Sequence, residues 1–411
     1  WGCACLAYMV FRSHVRVLLL LELTLALALA LVYGSGGMNH YSKKGAQRAV
    51  SVFMLLMIFC QLGVYYDTTG QYDEMFGYNL NEAYASETPA PQLDAGDYGR
   101  IEHQLLRDPH ALTMGYRGTS YYWSMVPSDI STYYTYLGNP TQSALAVLLD
   151  LGGSAEASAV ACVQYYIPSR EIENGIIPYG FEPVGTAETQ NGTSYDVYEN
   201  RYALPIGYTF DKALPVSVWK ELPVERRIQA LTSCAICDTS AVDTCDAPDS
   251  GAEIAWSVSK TRGITNEGGK WSIEKDAEAV FDFEAPADGE LWIIVEGLKI
   301  SADDVFVIAE TEESSNLARL TGTENSFCFD RPVIALCLGE SDRAGGHCTL
   351  RFRSATECVW DSMRIVCLPL EDFRENIALR QRETLEDVVV ENDRISGSIR
   401  TEGDRILSPS V

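Results

Sequence analysis

Apolar residues are spread unevenly along this chain. Residues 15–33 form a run broken only by Arg16, Glu22 and Thr24, and residues 49–66 carry no charge at all. Such lengths suit a bilayer, where a helix satisfies its own backbone N–H and C=O groups because lipid cannot. The pattern predicts transmembrane helices over 15–33 and 49–66, with residues 1–11 as the tail of a further helix and more helices expected before Trp1. A pair of buried core helices fits these lengths less well, and a cleaved leader peptide leaves the second stretch unexplained.

Beyond Tyr66 the pattern is that of folded, water-facing protein. Residues 129–137, ending at Gly138-Asn139-Pro140, read as a helix with its stop signals. Residues 155–167, AEASAVACVQYYI, read as one buried strand, which makes residues 67–220 an α+β (α/β) domain. Short runs such as Ala279-Val280-Phe281-Asp282-Phe283, Leu291-Trp292-Ile293-Ile294-Val295 and Cys348-Thr349-Leu350-Arg351-Phe352, separated by Gly, Asp and Ser turns, make residues 221–370 a jelly-roll-like β-sandwich domain. In residues 371–411 a charged helix with Phe373, Ile377 and Leu379 precedes a hairpin over 395–406 around Glu402-Gly403-Asp404, the start of a truncated β domain.

Charge divides where hydropathy does. Residues 1–66 carry five basic side chains and one acidic, whereas the remaining 345 residues carry −30, within a total of −26. So acidic a lobe repels phosphate backbones, which excludes a nucleic-acid role. The basic loop of Lys43, Lys44 and Arg48 is assigned to the cytoplasm and the acidic exit of Asp67, Asp73 and Glu74 to the outside, although Arg12 and Arg16 weigh the other way. The expected location is therefore a cell membrane, multi-pass, with the large lobe extracytoplasmic and the lipid bilayer as a partner.

Candidate chemistry is sparse. The five histidines, His14, His40, His103, His110 and His347, are scattered, and no phosphate-cradling glycine loop is present. Of twelve cysteines nine follow Tyr66, a number compatible with an oxidising compartment. Cys234-x-x-Cys237 with Cys245 has metal-like spacing but lacks the fourth ligand of a structural zinc site. A disulfide-tied or reduced loop is expected there, and no metal or cofactor.

Several segments carry a resemblance in their order. Ile176-Ile177-Pro178-Tyr179-Gly180-Phe181-Glu182 is followed by Tyr198-Glu199-Asn200-Arg201-Tyr202-Ala203-Leu204-Pro205-Ile206-Gly207-Tyr208. Upstream stand Tyr98-Gly99-Arg100-Ile101-Glu102, Gly115-Tyr116-Arg117-Gly118-Thr119-Ser120 and Val163-Gln164-Tyr165-Tyr166-Ile167, and downstream Arg394-Ile395-Ser396-Gly397-Ser398-Ile399. Together they resemble the YfhO-like family of bacterial membrane proteins over most of residues 50–407. Gln164 replaces the family's lysine, and Tyr122-Trp123-Ser124-Met125-Val126 departs from its serine-rich segment.

The resemblance implies a many-helix membrane core of the GT-C glycosyltransferase type. Such an enzyme takes a sugar from a polyprenyl-phosphate donor and attaches it to a cell-envelope polymer such as teichoic acid, at the outer membrane face. In that superfamily an acidic residue in the first outward loop serves as the base, and that loop is expected here upstream of Trp1, so residues 1–411 alone are expected to be inactive. The lobe would shape the acceptor side, with Tyr116, Arg117, Trp123, Tyr179, Asn200, Arg201 and Tyr202 as candidate acceptor-binding residues. Each competes with a structural role: Pro205 and Gly207 punctuate a turn whatever the function, and aromatics pack under glycine turns as readily as they stack on sugars. The alternative is a non-catalytic, membrane-anchored envelope module that binds glycan or a partner protein.

The orientation has a direct test. An impermeant thiol reagent added to intact cells should label Asp73→Cys and not Ser42→Cys; the reverse pattern overturns the assignment.

Overall fold

A computed structural model describes residues 45, 87–96, 98–105, 111, 114–122, 127–142, 147–240, 242–301, 304–322, 333–391 and 394–409. The chain divides into two compact units, Trp1–Ala83 and Tyr84–Val411, and every sheet among the described residues lies in the second. The expected spans over 15–33 and 49–66 and the partial helix over 1–11 lie outside the described residues. Among the described residues no helix is long and apolar enough to cross a membrane.

The architecture is mostly β and centres on the strand Gly289–Glu296, whose first six residues are all buried. It pairs antiparallel with Val333–Glu340 on one side and Ser362–Pro369 on the other, and Ala252–Ile254 extends the sheet to four strands. A strand sends alternate side chains to opposite faces, and here both faces are apolar. Leu291, Ile293, Ile334, Leu336 and Ile365 enter one core; Trp292, Ile294, Ala335, Val366 and Leu368 enter another.

The first core is the inside of a β-sandwich. Its second wall is a seven-stranded antiparallel sheet. The long hairpin Trp256–Glu267/Lys270–Phe283 dominates that sheet and turns at Gly268 and Gly269, both at positive φ (62° and 86°), where a side chain would be strained.

The second core is roofed by helices. Ser128–Tyr136, Val216–Glu221 and Val224–Ser233 contribute Tyr134, Trp219, Ile228 and Leu231. Each is entered from a proline, Pro127, Pro215 or Pro223, with no side-chain cap; proline fixes φ and lacks the N–H that a helix start leaves without an intrahelical partner. Arg364 of the central sheet ties down the longest of these helices: Nη1 donates to Glu225 at 2.8 Å, and Nη2 to Glu296 at 3.2 Å. A smaller mixed sheet sets Arg100–His103 parallel to Val163–Ile167, followed by Ser194–Asn200 and Phe181–Glu188.

The helix expected over 129–137 is found at Ser128–Tyr136. Two other expectations need correction. Residues 155–167 are not one strand: Ala155–Val160 is a helix, and only Val163–Ile167 is extended. Ser154 caps that helix, accepting from the Ala157 N–H at 3.2 Å, and the small residues behind it favour a helix, whereas β-branched and aromatic character is confined to the later segment. The hairpin over 395–406 does not form either. Arg394–Ser398 pairs with Glu386–Glu391, while Ile406–Pro409 pairs with Gly207–Phe210, because Ile406 packs on the buried cluster of Tyr208, Phe210 and Phe373.

A strand buried on both faces is intolerant of truncation. Ile294, 0% exposed, should lose about 2–5 kcal/mol on Ile294→Ala. Val258→Ala, at a position 45% exposed, should stay within about 0.5 kcal/mol. Chemical denaturation of both variants checks this, and equal losses contradict it.

Candidate functional site

The segments 176–182 and 198–208 meet because Phe181 pairs opposite Asn200 in neighbouring strands. Asn200 is buried and acts as a clamp. Its Nδ2 donates to the Val163 carbonyl at 3.0 Å, and its Oδ1 accepts from the Tyr202 N–H at 2.9 Å. Arg201 N–H donates to the Gly180 carbonyl at 3.0 Å. Gly180 has φ +86°, and a Cβ there would meet the Tyr202 ring at 2.2 Å. Only glycine therefore lets Tyr202 lie where it does.

The outcome is an aromatic shelf. Tyr179 and Tyr202 stack with centroids 5.5 Å apart and 17° between planes, and their hydroxyls are 3.4 Å apart. Phe373, on the helix Leu370–Arg380, meets both rings edge-on at 5.9 and 5.3 Å. Arg374 Nη1 donates to the Tyr179 hydroxyl at 3.1 Å, and the guanidinium engages both Asp288 oxygens at 2.7 and 2.6 Å. Arg201 pairs with Glu182 beside the shelf. Burial and the neighbouring Tyr179 push the Tyr202 phenol up to about 12, while hydrogen bonding from Arg374 holds Asp288 below the usual carboxylate range.

Of the candidate acceptor-binding residues, Tyr179, Asn200, Arg201 and Tyr202 are thus brought together. Tyr116 and Arg117 belong to a different neighbourhood: half-buried Tyr116 packs on Ala90, Ile101 and Ile167, and the exposed Arg117 guanidinium lies 5.6 Å from the Tyr98 ring centroid. Burial raises the Tyr116 phenol. Trp123 lies outside the described residues. Sequence reasoning missed Arg374 and Asp288 as site residues. The usable signal was the aromatic-arginine pair Phe373-Arg374 just inside a helix opened by Pro369.

Other chemistry-bearing groups are structural. The eight described cysteines are free thiols. Cys234 is buried and shares a hydrogen bond with Cys245, while Cys237 stands apart, so the loop is of the reduced kind; Cys328 lies outside the described residues. No group of three or more His, Cys, Asp or Glu among the described residues is placed to hold a metal. Glu156 and Glu290 share a hydrogen bond behind the central strand, and burial raises both, Glu156 to about 7. Trp292 Nε1 donates to Glu290 at 3.0 Å. The sandwich encloses a cavity of about 310 Å³ beside the stacked Trp271 and Trp360, but no polar atom faces it, so it offers sugar hydroxyls no partner.

A family model described as "Bacterial membrane protein YfhO" matches residues 2–411. No curated protein matches. Among solved structures, the C-terminal CBM6 of LamC, a marine laminarinase from Zobellia galactanivorans, is 12% identical over 29% of this chain and 98% of its own, with a TM-score of 0.22. CsCBM6-3 from Clostridium stercorarium, in complex with cellobiose, is 9% identical over 29% of this chain and 93% of its own, with a TM-score of 0.19. The arabinofuranosyltransferase AftD from Mycobacteria is 10% identical over 69% of this chain and 33% of its own, with a TM-score of 0.20.

Buried Glu102 yields a pH prediction. Burial first, then Asp150, raises its pKa from 4.5 to about 8. The native state then keeps a proton that the unfolded state has released, so this contribution is full below pH 4.5 and is lost as pH rises through about 8. Glu102→Gln stays neutral throughout and should flatten that decline in a melting series across this range. An unchanged slope contradicts the assignment.

Proposed function

This chain belongs to the YfhO family of bacterial membrane proteins, and on that footing we propose that it is the outer portion of a membrane glycosyltransferase. The reaction proposed is sugar transfer from a polyprenyl-phosphate donor to a cell-envelope polymer such as teichoic acid, with the lobe on the extracytoplasmic side engaging the acceptor. The observation that carries the acceptor role is the Tyr179–Tyr202 shelf with its two arginine–carboxylate pairs.

Sugars offer apolar C–H faces and a ring of hydroxyls. They are bound by aromatic surfaces edged with planar polar groups. Here two half-buried phenols supply both ring and hydroxyl, Arg374 is fixed by Asp288, and Arg201 by Glu182. A rigid edge loses little side-chain freedom on binding. The same pairing makes Asp288 a poor general base, since hydrogen bonding from Arg374 holds it below the usual carboxylate range. The shelf therefore positions the acceptor and leaves proton removal to another part of the membrane enzyme.

The test is kinetic and uses the full-length parent. Tyr179→Ala and Arg374→Gln should each raise KM for the acceptor about tenfold with kcat nearly unchanged. Equal loss in kcat with KM unchanged would place the shelf at the chemical step. Sugar incorporation that persists when the gene is deleted would favour the non-catalytic envelope module.

A further inference from the structure

At the far end of the helix that carries Phe373 and Arg374 lies a polar cavity of about 470 Å³. Arg380, Arg382, Arg400 and Arg405 all line it, facing Asp211, Glu383 and Glu402. In a chain whose net charge is −26, a cavity wall with more arginines than carboxylates runs against the general trend.

The pairing within the cavity leaves donors over. Arg405 Nε donates to Glu383 at 2.8 Å. That carboxylate also accepts from the Thr209 hydroxyl and, at 3.3 Å, from the Glu402 N–H, so Glu383 is engaged through both oxygens. Arg380 donates from Nη1 to the Thr209 carbonyl at 2.9 Å and from Nη2 to Asp211 at 3.3 Å. Its side chain is only 5% exposed and its guanidinium lies over the Phe210 ring at 4.6 Å. Its Nε is nevertheless buried without an acceptor. Arg382 and Arg400 are exposed and pair with no carboxylate among the described residues.

A buried cationic donor without an acceptor is costly. Three guanidinium groups from two segments, Arg380 and Arg382 at the helix end and Arg400 beyond it, ask for an acceptor with several oxygens pointing in different directions. A carboxylate has two oxygens in one plane, whereas a tetrahedral phosphoryl group presents more, and arginine is the residue that matches it. We infer that this cavity is a binding site for a phosphoryl anion, a phosphate monoester or diester, held by Arg380, Arg382 and Arg400. The site stands whether or not the parent transfers sugar, since its readout is binding alone.

The full chain in phosphatidylcholine nanodiscs, titrated with inorganic phosphate and with acetate at equal ionic strength, tests the site by calorimetry. Saturable phosphate binding that exceeds acetate binding is expected, and Arg382→Gln with Arg400→Gln should weaken it about tenfold or more. Glu402→Gln removes a competing anion and should tighten binding, a gain that misfolding cannot imitate. Two further arms separate the sources of the group. Displacement of phosphate by soluble glycerophosphoglycerol marks a free phosphodiester as ligand; loss of phosphate binding when phosphatidylglycerol enters the nanodisc marks a lipid headgroup. No saturable binding, equal binding of acetate, or equal affinity in the double variant overturns the site.

Discussion

The rest of the described fold depends on one sheet being buried on both faces. Along Gly289–Glu296, Leu291 and Ile293 close the sandwich, while Trp292 and Ile294 support the helical layer. Removing either layer would leave a row of large apolar side chains in water, a cost of about 1.5–3 kcal/mol for each one exposed. The two cores therefore stabilise a common wall. Arg364, held on that wall by Glu296 and reaching to Glu225, fixes the longest helix in register upon it.

The same wall positions both candidate sites. Asp288 directly precedes the central strand, and the helix Leu370–Arg380 directly follows its neighbour Ser362–Pro369. Gly289 sits opposite Pro369, and the Leu370 N–H donates to the Asp288 carbonyl at 3.0 Å. Asp288 and Arg374 are thus brought together by strand pairing rather than by a flexible loop. From Arg374 to Arg380 the helix advances about 9 Å, so one rigid element carries the aromatic shelf at one end and the arginine cavity at the other. The strand Ile406–Pro409 docks on Gly207–Phe210, and Arg405 just before it lines the second site.

Much of this was legible in the sequence, for identifiable reasons. Apart from the long hairpin Trp256–Glu267/Lys270–Phe283, the sandwich strands are short and punctuated by turns, and the family motifs stand in order. The run Leu291-Trp292-Ile293-Ile294-Val295 was readable as a strand, yet its lack of alternation also signals a second covered face, because a half-exposed strand alternates. Residues 155–160 misled because small residues serve buried strands and buried helices alike; the cap at Ser154 was the better guide. Asn200 clamps a turn through two backbone bonds, a role that motif spacing does not separate from ligand contact. Arg374, Asp288 and the arginine cavity join residues up to 195 positions apart, and one sequence carries no local sign of such pairings.

The central claim is that helical layer and sandwich share one cooperative core. Native-state hydrogen exchange on the full chain measures it directly. The amides of Val224–Ser233 and of Gly289–Glu296 should open with the same free energy and lose protection together as denaturant is added. If the helix exchanges through a much less costly opening while the strand stays protected, the two layers are separate units and the account is wrong.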